Sequence, residues 1–186
     1  MPYHATGFHT CRNEGGITYL KQNAPFEAVS DTFLSTGFYF WEHRLDDAHY
    51  WGNFQRSRFP KGYAICRCEL TLKKLLDLCH PAGLDKLAEL EEEMFDCGRI
   101  DDNLSVSELL QFLRDLDDPD VFDYDSARAE DEPNYRDAIQ RPYNDTRPAK
   151  KLTFNKRFII CVFTEHQAAI TSCRFVYPEQ YRLSAR

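Results

Sequence analysis

Four aromatic residues in a row, Phe38-Tyr39-Phe40-Trp41, follow Gly37. Aromatic side chains suit a pleated, half-buried surface, so the run predicts a strand. Directly beyond it, residues 45–54 place Leu45, Ala48, Trp51 and Gly52 at helical spacing, with Asp46 and Asp47 at the end where carboxylates favour a helix start. The unit reads as strand, turn, helix.

Elsewhere, residues 2–6 read as a short extended segment, residues 7–16 as a loop with turn residues, and residues 17–20 as a strand or the start of a short helix. Residues 63–70 alternate well enough for a second strand. Leucines recur at three- and four-residue spacing over 72–96 and 105–116, the latter opened by Ser105 and Glu108 in capping-box spacing, so both are predicted helices. Residues 115–132, dense in acids and interrupted by Pro119, read as an exposed loop; residues 134–151 are polar and hold Pro142 and Pro148. Residues 158–163 are a predicted buried strand, 164–167 a turn and 169–176 the return strand of a closing hairpin. The residues alone thus predict strands at both ends and helices between, with no internal repeat.

A chain of 186 residues, 42% of them hydrophobic, holds enough apolar side chains for one packed domain over residues 1–186, and 28% charged residues argue against disorder. A formal net charge of -7 disfavours general attraction to nucleic acid or to an anionic membrane. Local basic patches remain, around Arg56, Arg58 and Lys61 and around Arg147, Lys150, Lys151, Lys156 and Arg157. The cysteines, Cys11, Cys66, Cys68, Cys79, Cys97, Cys161 and Cys173, are odd in number and lack CxxC spacing, which disfavours a disulfide framework or a zinc site and favours buried, reduced thiols. His43 and His49 lack the spacing of a helical metal pair, and serine-nucleophile and phosphate-loop motifs are absent. The N-terminus has no signal-peptide pattern and no stretch is long enough to cross a bilayer, so a cytoplasmic setting is expected.

The run Leu34-Ser35-Thr36-Gly37-Phe38-Tyr39-Phe40-Trp41-Glu42, followed by Asp47-Ala48-His49-Tyr50, resembles the poly(ADP-ribose) polymerase branch of the ADP-ribosyltransferase superfamily. That branch carries a Gly-x-Tyr-Phe strand and, at the same spacing, an Ala-x-Tyr segment on the next helix. The opening His4-Ala5-Thr6 is similar to the family's first motif, with alanine in place of a glycine, and Asp47 stands where the family has a serine. The resemblance implies an α+β fold, the ADP-ribosyltransferase-like split β-sandwich of mostly antiparallel strands, with a helical insertion at about 71–116. It implies NAD as substrate, held by His4, Ala5, Thr6, Gly37, Tyr39, Ala48 and Tyr50. His4 would then take the ribose, Tyr39 line its pocket and Tyr50 stack on nicotinamide.

The family's His-Tyr-Glu members place a glutamate at the start of a late strand, where this chain has Lys156 or Arg157. Other members carry the acid on a preceding loop, and Arg128-Ala129-Glu130-Asp131-Glu132 offers carboxylates beside a cation that keeps them ionised. Glu130 or Asp131 is the expected catalytic acid, with Glu165 next. The resemblance then implies a mono-ADP-ribosyltransferase modifying a protein or a nucleic acid, of the toxin or phage-conflict kind, with an antitoxin or immunity protein as a candidate partner. Two alternatives stand beside it: an inactive relative that binds NAD, ADP-ribose or a protein without turnover, and an interaction module built on the leucine-rich helices of 72–116.

Overall fold

The computed structural model describes residues 1–30, 32–101, 103–131, 138–142 and 151–182. Its strands are β1 (Tyr3–Arg12), β2 (Gly37–Glu42), β3 (Tyr63–Leu72), β4 (Leu75–Asp77), β5 (Ser126–Asp131), β6 (Gln140–Pro142), β7 (Lys151–Thr153), β8 (Arg157–Phe163) and β9 (Ile170–Tyr177). Its helices are α1 (Gly16–Asn23), α2 (Leu45–Phe54), α3 (Pro81–Asp96), α4 (Val106–Asp115) and α5 (Glu179–Arg182). The fold is mixed α+β around an open sheet in the order β4-β5-β8-β2-β1-β3-β9, antiparallel throughout except for the β4–β5 pair; β6 and β7 form a separate ribbon.

The sheet has a seam. β1 runs beside β3 along its whole length, from Tyr3↔Leu72 to Arg12↔Tyr63, and β2 runs beside β8 from Gly37↔Phe163 to Trp41↔Ile159. Between the two halves, β1 and β2 pair only at Gly7↔Glu42 and Phe8↔Trp41. A Cβ at Gly7 would approach the Phe40 Cβ to 2.7 Å, so glycine is what lets the halves meet there. Where two separate sheets face to face were expected, seven strands form one sheet that parts on one side of this short junction.

Two apolar clusters tie the helices to the sheet, the first of them spanning both halves. Leu20 of α1 packs with Phe38, Phe40, Cys66, Cys68 and Leu70, and the leucine stripes of α3 and α4 (Leu87, Leu90, Leu109, Leu110, Leu113) pack on Ala127, Ala129, Cys161 and Phe163. α4 begins with the expected capping box, in which Ser105 Oγ accepts the Glu108 N–H and the Glu108 carboxylate accepts the Ser105 N–H.

Several expectations need correction. β1 continues through Phe8, His9 and Thr10 to Arg12, where a loop was expected, because both faces of the strand there are covered. Residues 17–20 are helical. Residues 75–77, expected within a helix, add β4 to the sheet edge. Residues 126–131 of the expected acidic loop form β5, between β4 and β8, because their charges find partners: Arg128 with Glu42 and Asp77, Glu130 with Lys156, Asp131 with Arg157. The last two strands are no hairpin; the 3₁₀ segment Thr164–Ala169 carries the chain from β8 to the far edge, where β9 pairs with β3. The thiols are not all reduced: Cys68 and Cys173, opposite one another in that register, form a disulfide, while Cys11, Cys66 and Cys161 are buried and free. Arg147 and Lys150 of the second basic patch lie outside the described residues. No described helix is long and apolar enough to cross a membrane.

Candidate functional site

Where β1 and β2 separate beyond Phe8↔Trp41, the His9 imidazole replaces the missing strand ladder. Its Nε2 lies 3.1 Å from the Phe26 backbone nitrogen, a donor, so Nε2 accepts; its Nδ1 then carries the hydrogen and donates it to the Tyr39 carbonyl at 2.9 Å. The ring is fully buried and burial lowers its pKa to about 4, against which the Tyr39 bond works only in part, so it is neutral at physiological pH.

The opening beside it is a cavity of about 560 Å³, within the size range of small-molecule sites. His9, Cys11, Leu20 and Phe40 line it together with an aromatic group of Tyr19, Phe26, Phe33, Tyr39, Trp41, Trp51 and Phe59. Trp41 and Trp51 rings lie 6.1 Å apart, and Tyr19 stacks on Phe26 at 6.0 Å. Tyr19, Phe33 and Trp51 are exposed, 48%, 50% and 36%, so the cavity carries solvent-facing rings at its mouth. Charged residues in the lining are Arg12, Glu14 and Glu27; Glu27 accepts a hydrogen bond from the Thr164 hydroxyl at 2.6 Å.

The segment Thr32 to Gly37, whose Thr32 and Phe33 line this cavity, is gripped from α4. Gln111 Oε1 accepts from Ser35 Oγ at 2.8 Å and from Thr36 Oγ1 at 2.9 Å, and Arg114 donates to the Thr36 carbonyl at 2.7 Å while its other nitrogens hold Glu165. Burial works against ionised Glu165, but the Arg114 hydrogen bonds prevail and hold its carboxyl below the usual range. Ser35 stands at φ 81, left-handed and strained for a residue with a Cβ. Tyr39 closes the turn: its hydroxyl donates to the Ser35 carbonyl at 2.6 Å and accepts the Leu34 N–H at 2.7 Å, and burial pushes its pKa far above the usual phenol value. Gly37 follows at φ +155, where a Cβ would overlap the Val162 carbonyl oxygen.

Of the residues singled out by resemblance, Tyr39 lines this cavity and the others do not. His4 is exposed at the start of β1, 3.3 Å from Thr71 Oγ1; Ala5 and Ala48 are core residues; Thr6 donates to Glu69 at 3.0 Å. Gly37 lies at the far end of the gripped turn. Tyr50 lies under the Arg157 guanidinium at 4.0 Å, and Arg157 in turn binds Asp131 at 2.9 Å, so Tyr50 and Asp131 come together around a cation. Glu130 is bound to Lys156 at 2.8 Å. Sequence reasoning missed His9, Glu14, Glu27 and Trp51; the available signal for the last was its place beside Tyr50 on the helix face turned to Trp41.

Among the described residues, the sulfurs of Cys66, Cys68 and Cys173 lie within 4.8 Å of one another, the nearest approach to a metal-ligand set. Two of them are joined to each other, and burial pushes the third, Cys66, far above the usual thiol pKa, so the set does not favour a cation. No family model matches the chain, and no curated protein or solved structure is significantly similar to it.

Proposed function

We propose that this chain is an NAD-dependent mono-ADP-ribosyltransferase that takes the nicotinamide end of NAD into the cavity at the parting of β1 and β2. The observation that carries the reading is an aromatic-walled cavity, placed by the Gly37-Phe38-Tyr39-Phe40 strand and its following helix, with the carboxylates of Glu14 and Glu27 in its lining. A planar, electron-poor ring gains from such walls. Heterolysis of the nicotinamide–ribose bond sends its electron pair to the nicotinamide nitrogen and leaves a cationic ribose. A fixed carboxylate stabilises that cation until a protein or nucleic acid nucleophile attacks and loses its proton.

In this reading Trp41 and Trp51 face the ring, Tyr39 shapes the ribose end, and Glu14 or Glu27 supplies the negative charge assigned by resemblance to Glu130 or Asp131. His9 takes the place in the cavity that resemblance gave to His4. With both its nitrogens engaged by backbone, it is a positioning residue that holds Phe26 and β2 open.

One observation favours a second reading, binding without turnover: at the start of β8, where the resemblance would put an acid at position 156 or 157, stand Lys156 and Arg157, which pair with Glu130 and Asp131. Nicotinamide release from NAD decides between them. A fall of about a hundredfold or more in Glu14→Gln or Glu27→Gln, with Glu130→Gln and Asp131→Asn unaffected, supports the first reading and its acid. Loss confined to the β5 variants moves the acid there. Wild-type binding of NAD without release establishes the second, and neither binding nor release overturns both.

A further inference from the structure

Beside the aromatic cavity, and sharing Phe59 with it, lies a smaller one of about 260 Å³. Its character is opposite. Arg56 and Lys61 line it with Asn13 and Asn53, and among the described residues its lining contains no carboxylate. That is unexpected in a chain with 30 acids against 23 lysines and arginines. Neither Arg56 nor Lys61 joins an ion pair among the described residues, and both are exposed, so their charge is available to a ligand.

The neutral groups point the same way. Asn13 Oδ1 accepts the Tyr181 hydroxyl at 2.6 Å, which orients the amide so that its NH₂ is the end left to donate. The wall is firm, because Tyr63 and Tyr177 stack at 5.0 Å and His49 meets Tyr177 edge-on at 4.8 Å. A cleft lined by one sign of charge concentrates counter-ions, and two cations with amide donors around a space this small suit a tetrahedral oxyanion group rather than a whole dinucleotide.

We propose that this cavity is a phosphoryl-binding subsite, with Arg56 and Lys61 as its charged contacts. The inference rests on the reading of the larger cavity only for the source of the phosphoryl group. That source is either the pyrophosphate of a dinucleotide whose ring occupies the aromatic cavity or a phosphodiester of a nucleic-acid acceptor brought up to it.

The test compares wild type with the Arg56→Gln, Lys61→Gln double variant, whose changes are at exposed side chains and whose fold is checked by circular dichroism. Binding of inorganic pyrophosphate, nicotinamide, NAD and a short single-stranded oligonucleotide is measured at low and at high salt. The subsite predicts that pyrophosphate affinity falls about tenfold or more in the double variant and with added salt, while nicotinamide affinity does not change. A parallel fall for NAD assigns the phosphoryl group to the dinucleotide; a fall for the oligonucleotide alone assigns it to an acceptor. Wild type that binds pyrophosphate through these residues but neither NAD nor nicotinamide keeps the subsite and removes the reading of the larger cavity. Pyrophosphate that is not bound, or is bound equally by the double variant, overturns the proposal.

Discussion

His9 and Tyr39 are joined across the opening of the sheet, the imidazole Nδ1 hydrogen bound by the Tyr39 carbonyl at 2.9 Å in a fully buried setting. Folding therefore takes a group that would accept a proton near pH 6.5 in the unfolded chain and holds it neutral down to about pH 4. Between those values the unfolded state binds more protons, so stability is lost as pH falls. From about pH 7 to about pH 5 the loss attributable to this ring is about 2 kcal/mol, at 1.36 kcal/mol per pH unit. Urea unfolding at the two pH values measures it. The variant His9→Phe is less stable at neutral pH, since it leaves the Phe26 N–H and the Tyr39 carbonyl without partners, and its stability falls less on acidification. An equal acid loss in the variant would refute the assignment.

Arg114 is the one cation of α4 and ties that helix to the turn at Ser35 and Thr36, and its side chain is 7% exposed. Replacing it with methionine keeps much of the volume and its packing over Phe163 but strands the Thr36 carbonyl and leaves Glu165 unpaired. Because Glu165 is half-exposed and rehydrates, the cost is about 2–4 kcal/mol rather than that of a fully buried charge. The loss is local before it is global: amide exchange at Leu34, whose N–H is held by the Tyr39 hydroxyl, accelerates in Arg114→Met. Unchanged Leu34 exchange would show that α4 does not position this turn.

The parts legible in the sequence are those whose signals are local. The aromatic strand β2, the helix Leu45–Phe54 and the Ser105–Glu108 cap each lie within one short window and stand where they were expected. β5 was illegible for a physical reason. Its alternating Ala127 and Ala129 face the core, but its charged residues are neutralised by Glu42, Lys156 and Arg157, partners distant in sequence. His9 was hidden in the same way. Its meaning lies in contacts with Phe26 and Tyr39 across a seam that exists only once β1 and β2 have met. Tyr39, which lies on a strand with a strong local pattern, was singled out from the sequence and lines the cavity.

The disulfide between Cys68 and Cys173 closes a loop with a sequence separation of 105 and fastens the edge strand β9 to β3. Constraining a loop of that length removes denatured-state entropy worth about 2–5 kcal/mol. Reduction, or Cys173→Ser, lowers the urea midpoint accordingly. Mass spectrometry of alkylated protein before and after reduction identifies the pair. If Cys68 and Cys173 alkylate without reductant in the folded protein, the bond is not formed in solution and the expected loss vanishes.

Glu42 ends β2 with its side chain 2% exposed, and its carboxylate is bound by partners rather than by water. Arg128 donates to its Oε2 at 2.8 Å and also to Asp77 at 3.1 Å, and the Tyr3 hydroxyl donates to its Oε1. Burial, then the Glu42 bond and charge, push the Tyr3 pKa up to about 12. Removing one partner of so buried a pair costs more than the pair itself is worth, because the remaining charge is left without hydration or compensation. Arg128→Met is therefore expected to destabilise the fold by about 3–5 kcal/mol, and Arg128→Met with Glu42→Gln by clearly less than the sum of the single changes. Denaturant unfolding of wild type, both single variants and the double variant gives the coupling. If the double variant is instead as unstable as simple addition predicts, the network does not act as a unit, and the anchoring of β5 to β2 rests on backbone pairing through β8 alone.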